Sequence, residues 1–201
     1  MSTSTRRKRR YHHGDLPAAL LRAAGKILEK ERLEALTLRD LAARTGVSRA
    51  APYRHFRNRE SLLAALAAEG FAMLGEAQGK AAASGGLRGM GEAYVRFALD
   101  HPQRFRLMFG GQLAIAKHPQ LREVATRVFE GLSGALSERV PQAQGARDAS
   151  IAAWALVHGL AQLLLGDRIG PAAKRGREDA AFVRDVLATL RFAAGPAQPP
   201  A

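Results

Sequence analysis

The stretch LTLRDLAARTGVSRAAPYRHF, residues 36–56, holds two short helical segments joined at one glycine, and no other feature narrows the possible folds as much. Thr37 precedes an apolar-periodic run and Asp40 follows three residues later, a capping-box arrangement that starts a helix. Gly46 ends that helix, because glycine adopts the left-handed conformation after a helix terminus at no steric cost. Ser48 is placed to cap a third helix over residues 49–55. Two short helices around a tight turn have the logic of a helix-turn-helix, whose second helix enters the DNA major groove. Ala42 is small where the pair must cross, and Val47 can plug between them. Pro52 is expected to face inward, with its missing N–H falling at the Ser48 carbonyl, where a helix tolerates the loss best.

Helical periodicity continues through nearly the whole chain, and no run has the period-two, β-branched pattern of a strand. The expected fold class is all-α, about nine helices, with a small N-terminal helix-turn-helix domain and a larger C-terminal helical domain. In the first helix Asp15 is the N-cap, Pro17 sits in the first turn, and Leu20, Ala24, Ile27 and Leu28 form one apolar stripe. A long fourth helix is predicted from about Asn58 to Lys80, followed by a flexible break at SGGLRGMG. Further helices are expected near 87–101, just after Pro102, and near 119–139, 146–167 and 178–194. The domain reading is a disordered basic arm at 1–10, a DNA-binding domain at 11–57, a second domain at 58–194 and a disordered tail at 195–201.

Charge sharpens the assignment. The net charge is +13, and residues 1–60 hold 15 Lys+Arg against 6 Asp+Glu, so the basic footprint sits in the first third. Concentrated positive charge is what a polyanion-binding module needs, since neutralising phosphates releases counterions. There is no cysteine, hence no disulfide frame and no thiolate site, and the first residues lack the apolar run of a secretion signal. A cytoplasmic location is expected. The strongest apolar stretch, 152–166, is interrupted by His158 and Gln162 and is shorter than the ~20 residues of a membrane helix, so no membrane is expected. An enzyme is disfavoured: no Gly-x-Ser-x-Gly, Walker or His-Glu-x-x-His motif occurs, and the six histidines lack metal spacing. Neither cofactor nor metal is expected.

The groove candidates are Ser48, Arg49, Ala50, Tyr53, Arg54 and His55. Arg49 can reach a guanine edge or clamp a phosphate, Ala50 can meet a thymine methyl, and Tyr53 and His55 suit phosphates. The basic arm RRKRR, with Arg7, Arg9 and Arg10, can reach into an adjacent minor groove. Residues 11–71 resemble the N-terminal DNA-binding domain of the tetracycline-repressor (TetR) family of bacterial transcription regulators, with LTLRDLAARTGVS, the Tyr-x-x-Phe at 53–56 and the Arg-Glu-x-Leu at 59–62 in register. The resemblance implies that Thr37 and Tyr53 grip phosphates and that Arg59 stands where the family often carries lysine. Pro52 departs from the leucine common in the family.

AAWALVHGLAQLLLGD resembles a C-terminal variety of that family marked by Trp-x-x-x-His-Gly, here Trp154, His158 and Gly159. Ile151, Ala155, His158, Gly159, Gln162 and Gly166 recur at helical spacing and are mostly small, and the last helix offers Phe182, Val183, Val186, Leu187 and Leu190. The resemblance implies that these two helices pair with their symmetry mates in a four-helix homodimer interface. Phe97, Phe105, Met108, Phe109, Leu113, Phe129, Trp154 and His158 are candidates to line an apolar effector cavity, with His158 and Gln162 as its polar fixers. A solid C-terminal core would instead point to an effector-independent architectural DNA-binding protein. The expected function is a sequence-specific regulator, a repressor released from operator DNA by a small apolar or aromatic effector of unknown identity.

Overall fold

A computed structural model describes residues 16–31, 33–137, 140 and 143–189. These form eight α-helices and three 3-10 turns, with no strand among the described residues. The chain divides into two compact units, Met1–Leu62 and Leu63–Ala201.

In the first unit, helix α1, Leu16–Lys30, buries Leu20, Ala24, Ile27 and Leu28, the stripe that its 3.6-residue period dictates. Its predicted cap, Asp15, lies outside the described residues. Helix α2, Leu38–Thr45, starts as the capping chemistry requires. Thr37 has an extended backbone, and its Oγ1 accepts the Asp40 N–H at 3.1 Å while donating to Asp40 Oδ2 at 2.6 Å. The acidic side chain thus closes onto the cap hydroxyl rather than the cap N–H. Gly46 takes φ 69°, ψ 24°, and the Val47 N–H reaches back to the Ala42 carbonyl at 3.2 Å. Ala42 is fully buried, as the close crossing demands.

The third segment is not the expected α-helix. Residues 49–51 form turns and Pro52–Arg54 a 3-10 helix. Ala51 N–H donates to the Ser48 carbonyl, Arg54 N–H to Ala51 and His55 N–H to Pro52, each three residues back. An α-turn would require residue 52 to donate to Ser48, which proline cannot do, so the first turn tightens. Ser48 contributes its carbonyl, and no side-chain cap forms. Pro52 and Phe56 are buried, so the inward reading of Pro52 holds while the α-helical one does not.

Helix α3, Arg59–Asp100, opens with Asn58 Oδ1 accepting the Ser61 N–H at 2.9 Å. Within the second unit it is interrupted at one residue, Gly86, with φ 56° and ψ −145°. The flexible break expected across residues 84–91 shrinks to this point, where only glycine fits the backbone. The chain then doubles back on itself. Gln78 Nε2 donates to the Met90 carbonyl at 3.5 Å, and a Cβ added at Gly89 would lie 2.5 Å from the Ala81 carbonyl oxygen. The two arms of α3 therefore touch backbone to backbone.

Helix α4, Pro102–Phe109, packs on the first arm of α3. Its Arg104, almost fully buried, pairs with Glu69 at 2.7 Å, and a Cβ at Gly70 would lie 2.6 Å from Met108 Sδ. Helix α5, Pro119–Ser137, and α6, Ala143–Leu165, pack against each other. The short α7, Pro171–Lys174, was not expected. Helix α8, Asp179–Ala188, covers the described part of the segment predicted at 178–194. The count of eight replaces about nine because residues 49–55 are not α-helical and the two arms of α3 form one interrupted helix, while α7 adds one.

Helix α6 begins earlier than the apolar run at 152–166. Residues 145–165 have a mean hydropathy of 1.4, long and apolar enough to cross a membrane by length and composition alone. One face of this helix nonetheless packs within the unit, where Ala161 is fully buried and Leu160 nearly so.

Candidate nucleic-acid interface and effector cavity

In the first unit the turn at Gly46 and the buried Pro52 and Phe56 fix the backbone from which the candidate groove residues project. Ser48, Arg49, Ala50, Arg54 and His55 are exposed, and Tyr53 is 55% exposed, so neither Tyr53 nor His55 is spent on core packing. Arg57, also exposed, lies beside them and was not singled out from the sequence, although its spacing from Arg54 places it in the same basic run. Arg44 holds α2 against the end of α1 through two bonds to Glu31, at 2.6 and 3.0 Å. Arg59 is committed differently from a simple phosphate ligand. Its Nε donates to the Leu36 carbonyl at 2.8 Å and its Nη2 to Leu33, which pins the loop leading into α2. The guanidinium keeps further N–H donors beyond these two bonds. Arg7, Arg9 and Arg10 lie outside the described residues.

The second unit holds a half-open cavity of about 570 Å³, within the usual size of a small-molecule site. Of the residues proposed from the sequence, Phe109, Phe129 and Trp154 line it. Phe97, Phe105, Met108 and Leu113 do not; they are buried, and Phe105 has no exposed surface. Their helical spacing reflects core packing, which from sequence alone looks the same as a cavity wall. His158 is not on the wall but stands directly behind it. The wall residues that sequence reading missed include Phe71, Tyr94, Gln78, Arg122 and Arg147. Tyr94 carried no local signal, because it reaches the wall only once α3 has reversed at Gly86.

Tyr94 anchors a polar corner. The Trp154 Nε1–H, a donor only, bonds to Tyr94 Oη at 3.2 Å, while Tyr94 Oη lies 2.8 Å from His158 Nδ1. His158 Nε2 faces the Gln162 amide at 3.3 Å. One proton lies between Tyr94 and His158. If Tyr94 holds it, Nε2 carries the ring hydrogen and the Gln162 amide, whose nitrogen faces the ring, must turn to present its oxygen; if Nδ1 holds it, Nε2 accepts from the Gln162 amide as placed and the Tyr94 hydroxyl proton is free for a ligand. The corner can therefore present either a donor or an acceptor. Around it, the His158 ring centroid lies 5.0 Å from that of Phe109 and 5.4 Å from that of Phe105.

Burial pushes the Tyr94 phenol well above its ordinary value, against a smaller lowering by the Trp154 hydrogen bond, and burial lowers the His158 pKa. Both groups are neutral at pH 7. Because the folded state disfavours imidazolium at His158, the unfolded chain binds that proton more readily, so stability falls as pH drops through the ordinary imidazole range, ~6.5. Urea midpoints about one pH unit above and below ~6.5 are expected to show a larger acid loss in the wild type than in His158→Gln. Equal losses would show that the ring is solvated.

A helix-turn-helix unit followed by a larger helical unit with an apolar cavity defines a DNA-binding transcription regulator with a ligand-binding domain. Comparison with protein families agrees. Residues 20–66 match the bacterial regulatory proteins of the tetR family, and residues 87–191 match the tetracyclin repressor-like C-terminal domain. The chain belongs to the tetR family. Comparison with curated proteins gives no match. Among solved structures, a protein of unknown function from Rhodococcus sp. RHA1 is 33% identical, with 90% of this chain and 96% of that one covered and a TM-score of 0.75. The TetR family transcriptional regulator PfmR from Thermus thermophilus is 24% identical, with 84% and 94% covered and a TM-score of 0.60. The multidrug binding protein EbrR in complex with imidazole is 23% identical, with 89% and 97% covered and a TM-score of 0.57. The last two show a shared fold.

Proposed function

We propose that the protein is a homodimeric repressor that leaves its operator when a small apolar or aromatic effector fills the cavity of the second unit. The observation that carries this reading is the cavity itself, about 570 Å³ and lined by Phe71, Phe109, Phe129 and Trp154, where an effector-independent architectural protein would have a solid core. The multidrug-binding relative, solved with imidazole and with proflavin, supports small ligands for this fold. Trp154, His158 and Gly159 fit the Trp-x-x-x-His-Gly variety of the family; of the three only Trp154 lines the cavity, and His158 supports the wall from behind through Tyr94.

On DNA, Arg49 and Ala50 read base edges, while Ser48, Tyr53, Arg54, His55 and Arg59 hold phosphates; Thr37, whose hydroxyl proton goes to Asp40, holds one through its backbone N–H. The arm with Arg7, Arg9 and Arg10 adds minor-groove contacts. Two such units must span half-sites about 34–36 Å apart, which requires a dimer. On α6, Ile151, Ala155 and Gln162 are exposed along one face, with Leu163 47% exposed beside them and Gly166 exposed just past its end, a mostly apolar stripe suited to a second copy. Phe182 and Val183 of α8 are already buried within the unit, so α8 contributes through Val186 and its neighbours; Leu190 lies outside the described residues. Static light scattering showing a monomer at micromolar concentration would remove the dimer. As a regulator of bacterial DNA the protein acts in the cytoplasm.

The test is binding of the purified protein to its upstream intergenic DNA against scrambled DNA at physiological salt. A dissociation constant on the order of 10⁻⁸ M with a preference of at least ~10³ is expected. Weak, salt-labile binding without preference would overturn specific recognition. Helix α3 carries the signal. Gly70 lies where α4 contacts its bare backbone, so Gly70→Pro is expected to abolish effector release while operator binding persists, and unchanged induction would refute this.

A further inference from the structure

The charges on the cavity wall have one sign. Three arginines, Arg88 on α3, Arg122 on α5 and Arg147 on α6, line it, and among the described residues no Asp or Glu does. Arg88 is partly answered by Glu92 at 3.6 Å, one helical turn away. Arg122 and Arg147 meet no carboxylate among the described residues. The remaining polar wall groups, Tyr94, Thr126 and Gln78, are neutral, and His158 behind Tyr94 is held neutral by burial.

A cation entering this space would face guanidinium groups on three helices and no counter-charge. A neutral apolar molecule would gain only burial. An anion attached to an apolar body would gain both, because a guanidinium donates two parallel N–H bonds to a carboxylate or sulfonate, while the rings of Phe71, Phe109, Phe129 and Trp154 take the rest. We propose that the effector is an amphiphilic anion, one acidic group on an apolar or aromatic skeleton, whose charge is met by Arg122 and Arg147. This rests on the cavity being the effector site and specifies the chemical class that it takes.

Trp154 is the only tryptophan in the chain and lies on the cavity wall, so its fluorescence reports occupancy. Two probes share one ring system: anilinonaphthalene sulfonate carries an acidic group, and neutral phenylnaphthylamine lacks it. Titrated into the full-length protein, both are expected to quench Trp154 saturably, with the anion bound about tenfold more tightly. In the Arg122→Gln, Arg147→Gln double variant the anion's affinity is expected to fall to that of the neutral probe, which itself stays unchanged. Both arginines are exposed, and the neutral probe's unchanged binding certifies the fold of the variant. Equal binding of the two probes to the wild type, or an anion preference that survives the double substitution, overturns the proposal while leaving the cavity as a ligand site. Failure of both probes to quench Trp154 overturns the effector-cavity reading and this proposal with it.

Discussion

Replacing Gly86 with alanine is expected to destabilise the second unit by about 1–3 kcal/mol, because φ 56° with ψ −145° is a backbone state that residues with a Cβ scarcely reach. Gly89→Ala is expected to cost about 1–3 kcal/mol for a different reason: its Cβ would lie 2.5 Å from a carbonyl oxygen, and backbone cannot swing aside as a side chain can. The two effects will not simply add, since both force open the same reversal. Gly79→Ala is the control. Gly79 is helical with nothing near its missing Cβ, so alanine there is expected to stabilise by about 0.5–1 kcal/mol. Urea unfolding followed by Trp154 fluorescence reads all three, because the sole tryptophan belongs to this unit. A Gly86→Ala midpoint equal to the wild type would mean that the arms of α3 do not reverse at that residue. Loss of the reversal also has a functional consequence: Tyr94 stands eight positions beyond Gly86, and the polar corner with Trp154 and His158 exists only if the second arm returns along the first.

Where local chemistry decides, the sequence already determines the outcome. The Thr37 cap, the left-handed Gly46 and the buried stripe of α1 are set by residues within a few positions of one another, and each is found as expected. Pro52 shows the limit of that logic. Its inward side chain is legible from its position, yet the consequence of its missing N–H is not confined to one bond: the Ala51 and Arg54 N–H groups on either side of it also bond three residues back, and a four-residue bond returns only at Phe56. The cavity was harder to read, since Phe105 and Phe109 sit four residues apart on one helix, and only the packing of distant segments makes the first core and the second wall. Arg122 and Arg147 resemble ordinary solvated charges along their helices; their shared relation to the cavity is a property of how α5 and α6 pair.

Arg49→Ala is expected to weaken operator binding by about 1–3 kcal/mol, roughly 5- to 150-fold, with little change toward scrambled DNA. Its place in the reading segment is the reason for so large a share. With Pro52 and Phe56 turned inward, the segment reads through Ser48, Arg49, Ala50, Tyr53, Arg54 and His55, and of its two exposed arginines Arg49 stands in the leading turn, the end of a recognition segment that meets base edges. Arg54→Ala should behave differently, weakening specific and scrambled DNA together and lowering the salt slope by about one, as a phosphate contact does. Tyr53→Phe removes a single exposed hydroxyl and is expected to cost about 1 kcal/mol without altering sequence preference. Equilibrium binding to operator and scrambled duplexes at several salt concentrations separates these outcomes. If Arg49→Ala instead lowers both affinities equally, Arg49 is a phosphate clamp, and base reading falls to Ala50 and its neighbours on the same turn.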